Sequence, residues 1–255
     1  MRIGVTGGPR EWPVAASLGY DYVEGNFSWI ASLDQDGFEA ARQTLAGTGL
    51  KAETFNGFFG AVRLYETTDE WMREYTKRAF ERCALLGGEI AVLGAGGARR
   101  VPDGFPVEKA KEKFARVLSI CGDEAQKVGM RVVIEPLRRA ECNFINTLPD
   151  SMEMVRMVGH PAVGTLVDFF HFYSNGETLD ELTDAAPSLW HAHLARPQPD
   201  RDAPRPADLP SITPYAEALR SIGYKGRISL ECSWKPDYLT AITEAFPVMD
   251  IFRNV

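Results

Sequence analysis

"VEKAKEKFARVLSICGDEAQKVGMRVVIEP", residues 107–136, contains one full unit of a design that the chain repeats. Phe114, Leu118, Cys121, Ala125 and Val128 recur at three- and four-residue steps, so they line one face of a helix. Gly129 ends the stripe, as a glycine just past the last periodic residue commonly does. "RVVIEP" (131–136) then reads as a short strand, apolar and β-branched. The order is helix, stop, strand.

The same order holds on either side. Over residues 67–88, Met72, Tyr75, Ala79, Cys83 and Leu86 share a helical face. Thr67 with Glu70 predicts a capping box at its start, and Gly87 and Gly88 supply the stop. "EIAVLG" (89–94) follows as a strand. Six further apolar runs are "RIGV" (2–5), "YDYVEG" (20–25), "KAETF" (51–55), "VGTLVDF" (163–169), "WHAHLA" (190–195) and "RISLEC" (227–232). Weaker helical periods fall near 37–47, 149–158, 178–184, 214–222 and 237–246. Strands separated by helices pair in parallel through right-handed crossovers. Eight such units in 255 residues predict an α/β fold, a single (β/α)8 TIM barrel. A doubly wound open sheet is the competing arrangement. No linker or shift in composition divides the chain, which predicts one domain over 1–255.

The bulk numbers narrow the function. The chain is 45% hydrophobic and 25% charged, as ordinary globular proteins are, and its net charge is -7. That charge repels a phosphate backbone and argues against general nucleic-acid binding. Cys83, Cys121, Cys142 and Cys232 form neither a CxxC pair nor a zinc-ribbon spacing. They read as reduced thiols of a cytoplasmic protein. "MRIGVTGGPR" lacks the apolar core of a signal peptide. No window approaches the 18 apolar residues or more of a membrane span, so no membrane partner is expected.

Four consecutive runs end in residues able to bind metals: Glu135, Asp168, His193 and Glu231. Barrel active sites are built at the carboxyl ends of the strands. Adjacent strands lie about 4.8 Å apart, so these four side chains can converge. Strand alternation puts Val133, Leu166, His191 and Ser229 on the same inner side, with Ile228 and Leu230 packing outward. Asp168 sits within "TLVDFFHF" (165–172), where a bare carboxylate is costly to bury. A divalent cation would neutralise it. Three carboxylates and one imidazole form a hard, oxygen-rich set that favours Mn²⁺, with Mg²⁺ or Co²⁺ as the other choices, over structural zinc.

Other residues carry weaker signals. His191 reads as a satisfied core histidine and His160 as an exposed turn residue. His171, just past its strand, either packs or touches substrate. Phe55, at the end of the third run, and Phe58 and Phe59 just after it either wall a pocket or pack under helices. Glu24 ends the second run within reach of the cavity. "GAGGARR" (94–100) and "TGGPR" (6–10) read as turns. "PQPDRDAPRPADLPSIT" (197–213) reads as a surface loop, at the mouth of a barrel and placed to serve as a lid.

"IEPLRRAECNFINT" (134–147), "LVDFFHF", "HAHLA" and "ISLEC" together resemble the sugar isomerase and epimerase family with the xylose-isomerase-like barrel. They are most similar to its ketose 3-epimerases, of the tagatose, psicose and ribulose types. The resemblance implies one divalent metal held by Glu135, Asp168, His193 and Glu231, with Glu135 and Glu231 also the acid/base pair. It implies that Glu141, His171 and an arginine hold a small-molecule sugar, and that the chain forms a dimer or tetramer. Arg196 and Arg201 both compete for the arginine role, and the glutamate usual after the metal histidine is missing from "HLARPQPDR". The expected reaction is C3 epimerisation of a ketose, by carboxylate-mediated proton transfer through an enediolate. The alternative is an aldose–ketose isomerase, or one of the hydroxypyruvate or keto-inositol type. More distant are a zinc-dependent abasic-site endonuclease, which needs more histidines than the four present, and a non-catalytic sugar-binding barrel.

Overall fold

The computed structural model describes residues 1–198 and 200–254; Pro199, within the predicted loop, and Val255 lie outside the described residues. The eight runs are eight strands: β1 (Arg2–Thr6), β2 (Tyr22–Asn26), β3 (Ala52–Asn56), β4 (Ile90–Leu93), β5 (Arg131–Ile134), β6 (Val163–Asp168), β7 (Leu189–Leu194) and β8 (Arg227–Leu230). Each pairs in parallel with the next, and β8 with β1, which closes a single (β/α)8 barrel. The open-sheet alternative is thereby excluded.

The two strongly periodic helices are present, as Asp69–Leu85 and Val107–Lys127. The first starts one residue later than the predicted capping box: Thr68, not Thr67, accepts from Trp71 N, while Thr67 Oγ1 donates to Leu64 O. The period near 214–222 extends back to Leu209, so the end of the 197–213 segment is helical. Helices Trp12–Leu18, Phe27–Ser32 and Phe169–Asn175 had no sequence prediction. "GAGGARR" is not a plain turn but includes a one-turn helix, Gly96–Arg99. Arg99 is fully buried there and donates to the carbonyls of Leu93, Glu135 and Ile145, so it ties the mouth of β4 to that of β5. His160 is not exposed either: its ring accepts from Ala162 N and approaches Asp123, with its side chain 12% accessible.

Alternation divides the strands as expected. Ile3, Val23, Val132, Ile134, Val167, Leu194, Ile228 and Leu230 face the helices in the main core. Inside the barrel, Ile90, Val92, Val133 and Leu166 form a separate apolar cluster on β4, β5 and β6. The rest of the interior is polar, with Tyr22, Glu24, Thr54, His191, His193 and Ser229 all fully buried. Below them, Glu53 holds Arg2 and Arg227 and helps close the bottom of the barrel.

Tyr22 fits only because β1 carries Gly4. Its ring crosses the barrel to put the hydroxyl 2.8 Å from Ser229 Oγ. A Cβ on Gly4 would lie 2.3 Å from that ring. Gly4→Ala is therefore expected to destabilise the fold by about 1–3 kcal/mol, as overpacking does. Urea denaturation checks this, and an unchanged midpoint would refute it.

Candidate metal centre

The ends of β5 to β8 bring four donors together. One ligand atom from each of Glu135, Asp168, His193 and Glu231 lies within 4.8 Å of all the others. His193 is central. Its Nδ1 is 3.2 Å from Glu135 Oε1, 3.1 Å from Glu231 Oε2 and 4.0 Å from Asp168 Oδ2. Asp168 and His193 are buried and directly paired in register across β6 and β7. The bulge at Thr165/Leu166 lies just before this pairing.

Asp168 ends its strand and begins a helix. Its Oδ1 accepts from Phe170 N at 2.8 Å and His171 N at 3.2 Å, which caps helix Phe169–Asn175. Its Oδ2 is left facing the cluster. The same helix sets His171 1% exposed, with Nε2 3.7 Å from Asp168 Oδ2 and 4.0 Å from Glu141 Oε2. Neither His171 nitrogen has a hydrogen-bond partner among the described residues. A buried imidazole left unpaired beside a donor cluster is placed to meet a bound molecule.

The two competing arginines separate. Arg201 Nη2 donates to Asp168 Oδ2 at 2.6 Å and to Glu231 Oε2 at 2.5 Å, and its guanidinium lies over the Phe170 ring. Arg196 instead pairs with Asp200 and Asp202 of its own loop, so it is held away from the cluster. Phe55 is also out of place as a substrate contact. Thr54 points inward to Glu24, so its neighbour Phe55 points outward, packed on Gly25 and Gly88. Phe58 and Phe59 join an aromatic cluster with Phe27 under the helices. Glu141 stands at the rim, paired with Arg138 at 2.6 Å.

Two further groups belong to the site: Asn56, which the sequence reading did not single out, and Glu24, which it placed within reach of the cavity. Asn56, ending β3, donates from Nδ2 to Glu231 Oε1 at 2.7 Å. Glu24 accepts from His193 Nε2 and His191 Nε2, both at 2.9 Å, directly beneath the cluster. A cavity of about 520 Å³ opens beside Glu231, with Glu24, Asn26, Trp29, Asn56 and Gly7 among its walls.

The electrostatics is that of one crowded anionic site. Burial and then the nearby Glu231 charge raise the Glu135 carboxyl. Burial would also raise Glu231, but Arg201 and His193 outweigh it and hold that group low. Asp168 is held low against burial by His171 and Arg201. Burial opposes charge on His193, yet Glu24 and Glu231 keep its imidazolium form favoured well above the usual histidine range. Three carboxylates thus converge on one guanidinium and one imidazole. The set fits a divalent cation, which would replace the proton on His193 Nδ1 and screen the carboxylates from one another.

Comparison with known proteins agrees with this architecture. Residues 12–250 match a family model described as xylose isomerase-like TIM barrel. D-psicose 3-epimerase of Agrobacterium fabrum is 26% identical over 223 residues, covering 85% of this chain and 76% of the relative. Inosose isomerase of Bacillus velezensis is 26% identical over 146 residues, about half of each protein at 54% and 51%. The crystal structure of 3-keto-D-glucoside 4-epimerase from E. coli matches over 100% of both chains with a TM-score of 0.80 at 20% identity, a likeness of fold.

Proposed function

Because this chain belongs to the xylose isomerase-like TIM barrel family, we propose that it is a metal-dependent sugar isomerase that epimerises a ketose at C3. The observation that carries this reading is the convergence of Glu135, Asp168, His193 and Glu231 within 4.8 Å. The relatives named D-psicose 3-epimerase and inosose isomerase support the class. In this reading the four residues hold one divalent cation, Mn²⁺ before Mg²⁺ or Co²⁺. When bound, such an ion polarises the substrate carbonyl and stabilises the negative charge that develops beside it.

The chain's own residues then move the proton. Glu231 or Glu135 takes it from the carbon next to the carbonyl, and the other returns a proton from the opposite side, inverting the centre. In the metal-free site burial and the Glu231 charge raise the Glu135 carboxyl, while Arg201 and His193 hold Glu231 low. Arg201, His171 and Glu141 orient the sugar oxygens, and Asn56 keeps the Glu231 carboxylate in place. If one carboxylate instead works alone between C1 and C2, the product is that of an aldose–ketose isomerase.

Incubation with a panel of free ketoses and sugar phosphates in deuterated water tests the reading. Deuterium is expected at C3; incorporation at C1 or C2 would reassign the reaction. Chelation is expected to abolish exchange and added Mn²⁺ to restore it, with elemental analysis showing one such ion per chain. Full exchange in chelated protein would overturn the metal dependence. Three zinc ions per chain would instead favour the endonuclease-like reading.

A further inference from the structure

We propose that Glu24 is the positioning residue of the cation site: it takes the Nε2–H of His193, fixes the ring's tautomer and so presents Nδ1 to Glu135, Asp168 and Glu231. This rests on the metal reading above and adds a residue that reading does not use.

The geometry leaves little choice. An ionised carboxylate only accepts hydrogen bonds, so the 2.9 Å contact between Glu24 Oε1 and His193 Nε2 places a hydrogen on Nε2. In the neutral ring the lone pair is then on Nδ1, the atom 3.1 Å from Glu231 and 3.2 Å from Glu135. Facing two carboxylate oxygens, Nδ1 carries either a proton or, in the loaded site, the cation that takes that proton's place. A carboxylate behind a ligating imidazole both orients the ring and strengthens it as a donor.

Glu24 is itself immobilised from three other strands. Its Oε2 accepts from Thr54 Oγ1 on β3 at 2.6 Å, from Ser229 Oγ on β8 at 2.6 Å and from His191 Nε2 on β7 at 2.9 Å. Ser229 is braced in turn by the Tyr22 hydroxyl. That leaves Oε1 to His193 alone. The group is fully buried, and all four of its contacts are groups able to donate to a carboxylate. Glu24, His191 and His193 also lie close enough to bind an ion of their own. Four donors already fill the two Glu24 oxygens, however, and such an ion would displace them and turn His193 Nε2 away from its partner.

Long-range ¹H–¹⁵N spectra of the full chain, labelled at histidine nitrogen and loaded with Zn²⁺ as the probe, test this directly. His193 is expected with hydrogen on Nε2 and the metal shift on Nδ1. Glu24→Gln is expected to weaken Mn²⁺ binding by about 10–100-fold, read from the free Mn²⁺ EPR signal. A role in packing alone would lower the melting temperature and leave the affinity unchanged. Metal on His193 Nε2, a second ion engaging His191, or an affinity within about twofold of wild type in folded Glu24→Gln would each overturn the proposal. If that variant does not fold, the wild-type spectrum still decides. A wild-type chain that takes up no divalent cation would refute the metal reading first and this one with it. Uptake by wild type with unchanged affinity in Glu24→Gln would refute only this one.

Discussion

Glu231→Gln should reduce proton exchange by at least about 10⁴-fold, to or below detection, while the chain stays folded. Three losses combine. The amide is no proton acceptor, and an acid/base group is worth about 10²–10⁴-fold by itself. The amide also brings no negative charge to a cation. Its NH₂ end must then face a donor: Asn56 Nδ2 approaches one Glu231 oxygen at 2.7 Å and Arg201 Nη2 the other at 2.5 Å. An NH₂ end cannot accept, so one contact breaks unless Asn56 turns its amide oxygen toward it, and in either case the ion pair with Arg201 is lost. The fold is expected to survive, because Glu231 lies just past β8 with a side chain 22% accessible and takes no part in the apolar core. Removing one of three crowded carboxylates also relieves repulsion on Glu135, the group that Glu231 raises. The metal-free melting temperature should therefore move by less than about 4 °C. Deuterium exchange and thermal unfolding on one preparation check both halves. Near-normal turnover would remove Glu231 from the chemistry, whereas a collapsed melting temperature would show that its role is structural.

What could be read from the sequence followed from periodicity, and what could not followed from its absence. Short apolar runs between helical periods with glycine stops were enough to locate all eight strands and to put Glu135, Asp168, His193 and Glu231 at the ends of four neighbours. Helix Phe169–Asn175 was missed because "FFHFYSN" is apolar on most sides and shows no stripe. Its start is signalled only by Asp168, a residue already assigned to another task. Phe55 was misplaced although alternation contained the answer: Thr54 and Glu24 are register partners facing inward, so Phe55 must face out. Glu24 was placed within reach of the cavity, and the parity that turns Ser229 inward does the same for it. Arg201 offered no such signal. It lies in an irregular loop tied down by contacts such as Arg201 O with Ser233 N, which no local pattern encodes. Strand interiors obey a period, while loop residues depend on contacts between distant segments.

Gly94→Ala should cost about 100-fold in exchange activity with almost no loss of stability. Gly94 directly follows β4 and lies under Glu135, where an added Cβ would be 1.9 Å from Glu135 Oε2. No backbone atom is among the three nearest neighbours of that position, all of which belong to the Glu135 side chain. The methyl group can therefore be accommodated if the carboxylate swings away, a displacement of more than about 1 Å to reach ordinary contact distance. Misplacing a reacting group by that amount costs on the order of 10²-fold. The same swing withdraws a ligand, so Mn²⁺ affinity should fall along with activity. Gly97→Ala serves as the control, since a Cβ there meets nothing within 4 Å among the described residues, and both activity and affinity should stay at the wild-type level. Activity retained in Gly94→Ala would mean that the Glu135 carboxylate works from a different position. Equal losses in both variants would trace the effect to the loop after β4 and not to the carboxylate. A loss confined to Gly94→Ala, with the melting temperature unmoved, would establish that this strand end carries glycine because Glu135 occupies the space a side chain would take.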